Sequence, residues 1–332
     1  MIFNPEMNRV TVDQSVEWVT LAFKEIARAP KLFALNVASV FCITACIDLF
    51  IMSMPLMYLL YVMYFCIFGT VILNLNSYRR KQEHLISFYA GFKVPYMSRL
   101  LKSCTFMLIG SAAALAASMC FLYYKGFFNP ENIEQLKLVI SRLTSPEQLK
   151  QLEVAFTKLS SNPADLSLLA DLFPGVELNS VLVLIQQLMI SLMIFFLLFL
   201  LVASYFWLVP YFCTLCYEDL QNKKLNMYGL SFKAAFSFKN FLPMLGFGVS
   251  IFVITFIYNL LLSQMILSIG NSTLQVLAEA LKDAVSSCFI LYAVYFLFLD
   301  LFSNHREEKQ EVEAERIDPK RKMAANAEIK KL

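Results

Sequence analysis

Charge is what this sequence has least of. Only 16 % of its 332 residues are Asp, Glu, Lys or Arg, against about 25 % in a soluble domain. Hydrophobic residues make up 58 %, and several charge-poor runs reach about 20 residues, the length that crosses a bilayer core. This excludes a soluble enzyme, a disordered chain and a nucleic-acid-binding domain. The net charge of +3 is too small to imply a nucleic-acid partner. Histidine is nearly missing. His84 and His305 stand far apart, and no His/Cys/carboxylate set has metal-ligand spacing. With nine glycines in all, there is no glycine-rich phosphate loop. No catalytic residue, metal or cofactor is expected.

The eight cysteines (Cys42, Cys46, Cys66, Cys104, Cys120, Cys213, Cys216 and Cys288) lie in or beside apolar runs. None falls in the polar segment 125–179, where a disulfide framework would sit. They read as small hydrophobes of membrane helices. Cys213-Thr214-Leu215-Cys216 is a lone CxxC, without the second pair or thioredoxin-like context that metal or redox chemistry needs. The first apolar run begins near Lys31 and has no small-residue cleavage site, so no secretory signal is expected.

What is present is a set of six apolar spans, near 32–54, 55–75, 103–124, 180–212, 242–267 and 284–302. The fourth is unusually long, and Pro210 gives it a place to kink or end. The loop 76–102 carries Arg79, Arg80, Lys81, Lys93, Arg99 and Lys102 against Glu83 alone. The loop 217–241 carries Lys223, Lys224, Lys233 and Lys239 against Glu218 and Asp219. Both are expected on the cytoplasmic side. Segment 125–179 and the short loop 268–283 then face outward, and both termini face the cytoplasm. The tail 303–332 has alternating charge and reads as solvated.

Residues 12–31 show a 3.6-residue apolar period, with Val12, Val16, Val19, Phe23 and Ile26 on one stripe. Asp13, Glu17, Thr20 and Lys24 fill the opposite face. The pattern reads as an amphipathic helix in the membrane interface, at a depth that suits Trp18. Leu21-Ala22-Phe23-Lys24 is echoed by Leu230-Ser231-Phe232-Lys233 before span five, and more weakly by Leu85, Phe88, Tyr89 and Phe92 before span three. Three parallel units are expected, each an interfacial helix followed by a transmembrane hairpin. The fold class is therefore all-α: six transmembrane helices in three hairpins, cytoplasmic interfacial helices and a small helical extracytoplasmic insert. The organisation follows as an N-terminal segment 1–31, spans one to three over 32–124, the insert 125–179, spans four to six over 180–302, and the tail.

Several stretches together resemble an uncharacterised family of six-span bacterial inner-membrane proteins. They are Val16–Phe41; Ser87-Phe88-Tyr89-Ala90-Gly91-Phe92-Lys93 with Arg99-Leu100; and Tyr205-Phe206-Trp207-Leu208-Val209-Pro210 with Leu230-Ser231-Phe232 and Asn240-Phe241-Leu242-Pro243. The resemblance covers the spans. It implies a bacterial inner membrane and a six-span bundle, and carries no activity or catalytic residue with it. Segment 125–179 looks like an elaboration beyond the common pattern.

That insert has three helix starts: Asn129-Pro130, Ser145-Pro146 and Asn162-Pro163. Its first helix has an apolar stripe through Ile133, Leu136 and Ile140, and its second through Leu149, Leu152 and Phe156. These stripes need cover from each other, the bundle, the membrane surface or a partner. Another envelope protein docking on 129–173 is one expected partner, and membrane lipids are the other.

Within the spans, Asp48 is the one candidate for a proton or cation site, set against an interface residue with water access. Asn36, Gln186, Gln187, Asn259 and Gln264 are candidates for interhelical hydrogen bonds. Gly110, Ala113, Ala114 and Ala117 in span three are expected at a close helix contact, with span three at the centre of the bundle. Two functional classes fit: a non-enzymatic scaffold, assembly factor or subunit of an envelope complex, and a carrier of a lipid or other hydrophobic molecule.

Overall fold

The computed structural model describes residues 7–49, 54–143, 178–217 and 226–303. Among these the regular elements are helices: α1 (Val12–Arg28), α2 (Pro30–Leu49), α3 (Met54–Arg79), α4 (Val94–Tyr124), α5 (Pro130–Leu143), α6 (Leu178–Phe206), α7 (Val209–Leu215), α8 (Met227–Phe236), α9 (Phe241–Leu267) and α10 (Ser272–Phe302). Among the described residues five helical stretches are long and apolar enough to cross a membrane: Pro30–Leu49, Val94–Tyr124, Val181–Leu215, Phe238–Leu267 and Ser272–Phe302. The chain divides into two compact units, one of residues 1–107 with 203–332, the other of 108–202.

The core of the first unit is α10. From Cys288 to Phe302 every residue except Ile290 and Asp300 is buried, and a helix apolar all round demands cover all round. α1, α2, α3 and α9 all pack on it, and aromatic rings fill the gaps. Phe212 meets Phe298 and Phe302 edge-on at 4.9 and 5.0 Å, and Phe33 meets Tyr292 at 5.6 Å. The expectation that span three is central gives way here. α10 buries 72 % of its most apolar stretch and α4 only 17 %.

Several boundaries move from those read in the sequence. α10 starts at Ser272, where the Asn271 side chain accepts a hydrogen bond from the Leu274 N–H at 3.1 Å. Most of the expected loop 268–283 is therefore helix. α4 starts at Val94, with Pro95 in its first turn, a position where the missing N–H costs nothing. The long fourth span does break: α6 ends at Phe206, and Pro210 lies in the first turn of α7.

The interfacial segments differ among themselves. α1 and α8 are α-helices, but the third copy is two 3-10 turns, Glu83–Leu85 and Ala90–Phe92. Leu85, Phe88 and Tyr89 are exposed there and do not form an amphipathic stripe. The reason lies at Gly91, whose backbone runs so close to α3 that a Cβ would collide with the Cys66 carbonyl oxygen. α1 also shows more than its period announced. Ser15, Trp18, Val19, Ala22 and Glu25 are buried, whereas Val12, Val16 and Phe23 are more than half exposed. The helix therefore has three sectors: a packed face, a neighbouring apolar stripe and a charged face. Trp18 is wholly buried within the protein.

The second unit is a hairpin of α4 and α6 together with α5. Its seam is antiparallel. A Cβ on Gly110 would come within 2.9 Å of Val202, and the Ser191 hydroxyl donates to the Ser118 carbonyl at 3.0 Å. Ala114, Ser118 and Leu122 are buried along it, as are Val181 and Leu184. Small residues at every fourth position let two backbones close on each other.

Candidate functional site

Polar groups inside the first unit converge on one chain of hydrogen bonds. Asn36, Asn74 and Tyr292 are each wholly buried. Asn36 donates from its amide nitrogen to the Tyr292 hydroxyl at 2.9 Å, and Asn74 donates to the Asn36 Oδ1 at 2.9 Å. Asn74 then clamps Ser87, donating to its carbonyl and accepting from its N–H, both at 3.0 Å. One turn away on α3, Thr70 Oγ1 accepts from the Gly91 N–H at 2.9 Å. The loop between α3 and α4 is thus folded back along α3. Its backbone groups are satisfied by α3 side chains, as buried irregular backbone requires. The Ser87 hydroxyl is buried with no partner among the described residues.

The second irregular point is the α6–α7 break. Leu208 N–H donates to the Ser231 hydroxyl at 3.3 Å, and that hydroxyl donates to the Ser204 carbonyl at 3.1 Å. The indole of Trp207 donates to the Ser231 carbonyl at 3.1 Å. Tyr205 stacks on Phe232 at 4.4 Å. Ser103 and Tyr228 share a hydrogen bond at 3.2 Å nearby. Burial raises the pKa of the Tyr228 hydroxyl above the ordinary phenol value, and the Ser103 bond opposes that rise.

A third cluster ties the N-terminal segment down. Trp18 Nε1 donates to the Asp300 carboxylate at 2.7 Å. Asn8 donates to the Asp300 and Ser303 carbonyls, and Asn240 holds both the Asn8 carbonyl and the Val10 N–H. Asp300 is thus the hydrogen-bond acceptor for a buried indole. At the other end of α10, Lys282 is largely buried and pairs with Glu279, with Asp283 at 3.9 Å and the Ser263 hydroxyl at 3.2 Å.

The candidates named from the sequence scatter. Asn36 joins the buried chain, and its partners Asn74 and Tyr292 were not among those candidates. Asp48 is exposed at the end of α2 and within electrostatic reach of Glu279 and Asp283. Among the described residues no group of three His, Cys, Asp or Glu side chains is placed to hold a metal ion. Gln264 is exposed, and the Asn259 Oδ1 is buried without a partner among the described residues. In the second unit Gln186 is exposed and Gln187 reaches the Lys125 carbonyl at 3.5 Å. Gly110 and Ala114 lie in the α4–α6 seam, while Ala113 and Ala117 are exposed. α5 begins at Pro130, and Ile133 on it is half-buried. Leu149, Leu152 and Phe156 lie outside the described residues, as do the side chains of Leu136 and Ile140. Cys213 and Cys216 are buried, and Cys213 sits 3.8 Å from the Met227 sulfur.

Lys282 falls within the expected loop 268–283, so its pairing on α10 does not show in the sequence. Tyr292 gives no signal, being one of many tyrosines in an apolar chain, and Ser231 stands out only as part of the Leu230–Lys233 echo, with nothing to mark its hydroxyl.

Cavities among the described residues open on the first unit, two of them notable. One, of about 250 Å³, is almost wholly apolar and is lined by Phe23, Ile26, Phe33, Ile254, Tyr258 and Phe289 among others. The other, of about 550 Å³, lies at the α1–α2 elbow. Comparison with known proteins finds no matching family, no matching curated protein and no matching solved structure. The class that the fold defines is an all-helical membrane protein.

Proposed function

We propose that the chain is a non-enzymatic multi-pass protein of the bacterial inner membrane, acting as a scaffold, assembly factor or subunit of an envelope complex. In this reading α3, 26 residues long, is a sixth span beside the five apolar stretches. The spans pair into three hairpins, and the basic loops and both termini face the cytoplasm. The observation that carries the reading is the use made of buried polar groups. Asn36, Asn74, Thr70 and Ser231 satisfy one another or nearby backbone. Catalysis or an ion pathway needs such groups turned toward a substrate or a water-filled cavity. Here they hold the bundle in one shape, which is what a docking platform requires. The docking surface is the insert 125–179, borne by the α4–α6 hairpin.

A second reading, a carrier of a lipid or other hydrophobic molecule, is favoured by the apolar cavity between α1, α2, α9 and α10. Its volume of about 250 Å³ is below the range of roughly 300–1,000 Å³ usual for ligand pockets. Purification of the full chain at native expression level in mild detergent, with cross-linking and mass spectrometry, separates the two. A stoichiometric protein cross-linked to 129–173, and lost when that segment is deleted, supports the scaffold. A solitary protein that carries one defined hydrophobic molecule overturns it in favour of the carrier.

A further inference from the structure

We infer that the elbow between α1 and α2 binds the headgroup of an anionic phospholipid. The inference goes beyond the scaffold reading and rests only on α2 being a membrane span. Arg28 closes α1 and Lys31 opens α2, so two cations stand three residues apart around a bend. Both are exposed, and neither has a carboxylate partner among the described residues, where the ion pairs are those of Lys282. They border a cavity of about 550 Å³ whose other walls include Leu32, Leu35, Tyr78 and Ile86.

The walls say what fits. Two unpaired cations and a phenol hydroxyl call for a phosphate-bearing anion. At the elbow the positive end of α2 meets the negative end of α1, so the attraction for an anion comes from the two side chains. A free phosphate ion would leave Leu32, Leu35 and Ile86 facing water for nothing. A phospholipid lays its glycerol and first methylenes there and keeps its phosphate at the rim. The depth agrees: the elbow stands where the apolar stretch of α2 begins, the level at which headgroups lie and at which Arg, Lys and Tyr anchor membrane proteins. Arg79, close in sequence to Tyr78, is not part of the site, because its guanidinium lies over the Phe296 ring at 4.9 Å.

The test uses the full-length protein in mild detergent, mixed with equal amounts of phosphatidylglycerol and phosphatidylcholine and read by native mass spectrometry. The expected result is one retained phosphatidylglycerol in preference to phosphatidylcholine. Arg28→Gln with Lys31→Gln should lower that retention by about 30-fold, the effect of removing two interfacial cations. Lys24→Gln, on the charged face of α1, should leave it unchanged. All three positions are exposed, and an unaltered melting curve shows that the variants fold. Undiminished phosphatidylglycerol in the double variant overturns the site. An equal loss in Lys24→Gln overturns it in favour of diffuse charge attraction. Displacement of the lipid by 10 mM inorganic phosphate overturns it in favour of a simple anion site.

Discussion

Ser231 stands in the place of a helical hydrogen bond that Leu208 has lost. In an unbroken helix the Leu208 N–H would meet the Ser204 carbonyl; instead the Ser231 hydroxyl lies between, accepting from one and donating to the other. A side chain inserted into the i→i−4 ladder is one of the few ways to bend a helix without stranding its backbone. Replacing Ser231 by Ala should therefore take away the Leu208 N–H's acceptor and cost about 1–3 kcal/mol. Ser250→Ala is the control, because that hydroxyl only bonds back to Gly246 in its own helix; its effect should stay under about 0.5 kcal/mol. Thermal unfolding of both variants in the same detergent checks the pair.

The buried chain should behave as a unit. Tyr292→Phe strands the Asn36 amide, and Asn36→Leu strands the Tyr292 hydroxyl and takes one acceptor from the Asn74 amide, which keeps its bonds to Ser87. A double-mutant cycle between them should give a coupling of about 1–2 kcal/mol. Additive effects would show that the two side chains do not share a bond worth measuring.

Gly91→Ala should be among the most damaging small substitutions in the protein, about 3 kcal/mol or more, because the new methyl meets α3 backbone rather than a movable side chain. Its loop should lift, and trypsin should cut faster after Lys93. Gly248→Ala makes the opposite comparison. Nothing lies within 4 Å of the added carbon, and Ala is favoured over Gly in a helix by about 1 kcal/mol, so that variant should be as stable as the parent or more so.

Trp18→Phe should keep the ring and lose the bond to Asp300, at a cost of about 1.5–3 kcal/mol for a bond to a charged acceptor. Asp300→Asn retains an oxygen acceptor and should cost less. Cleavage by trypsin after Arg9 reports on both, since the segment Asn8–Val10 is fastened to α10 and Asn240 beside that contact. Equal cleavage in all three proteins would mean that the indole does not hold the strap.

Much of this was readable in the residues, and the rest was hidden for one physical reason. Apolar runs located α2, α4, α6, α9 and α10, and Pro210 marked the break. Periodicity, however, reports contrast between apolar and polar faces. In a membrane chain the outward face is apolar too, so the stripe Val12, Val16, Phe23 was legible while the packed face through Ser15, Trp18, Ala22 and Glu25 was not. The same limit hid the helical extension of α10, where Glu279, Lys282 and Asp283 looked like loop charge but pair on a helix. Asn36 stood out as an amide inside an apolar run. Its partners Asn74 and Tyr292 come from sequence positions 38 and 256 residues away, which no local pattern connects.

The helix at the core of the first unit is also the last one described in the chain. α2 and α3 are made more than 190 residues before Ser272 leaves the ribosome. Until then they have no α10 to close around, and Asn36 has no Tyr292 hydroxyl to accept its hydrogen bond. The earlier helices must wait with the face that α10 will cover still open, shielded by lipid, by a chaperone or by one another. Synthesis halted before Ser272 would release a protein with its membrane segments inserted and its interior missing, a ready target for quality-control proteolysis.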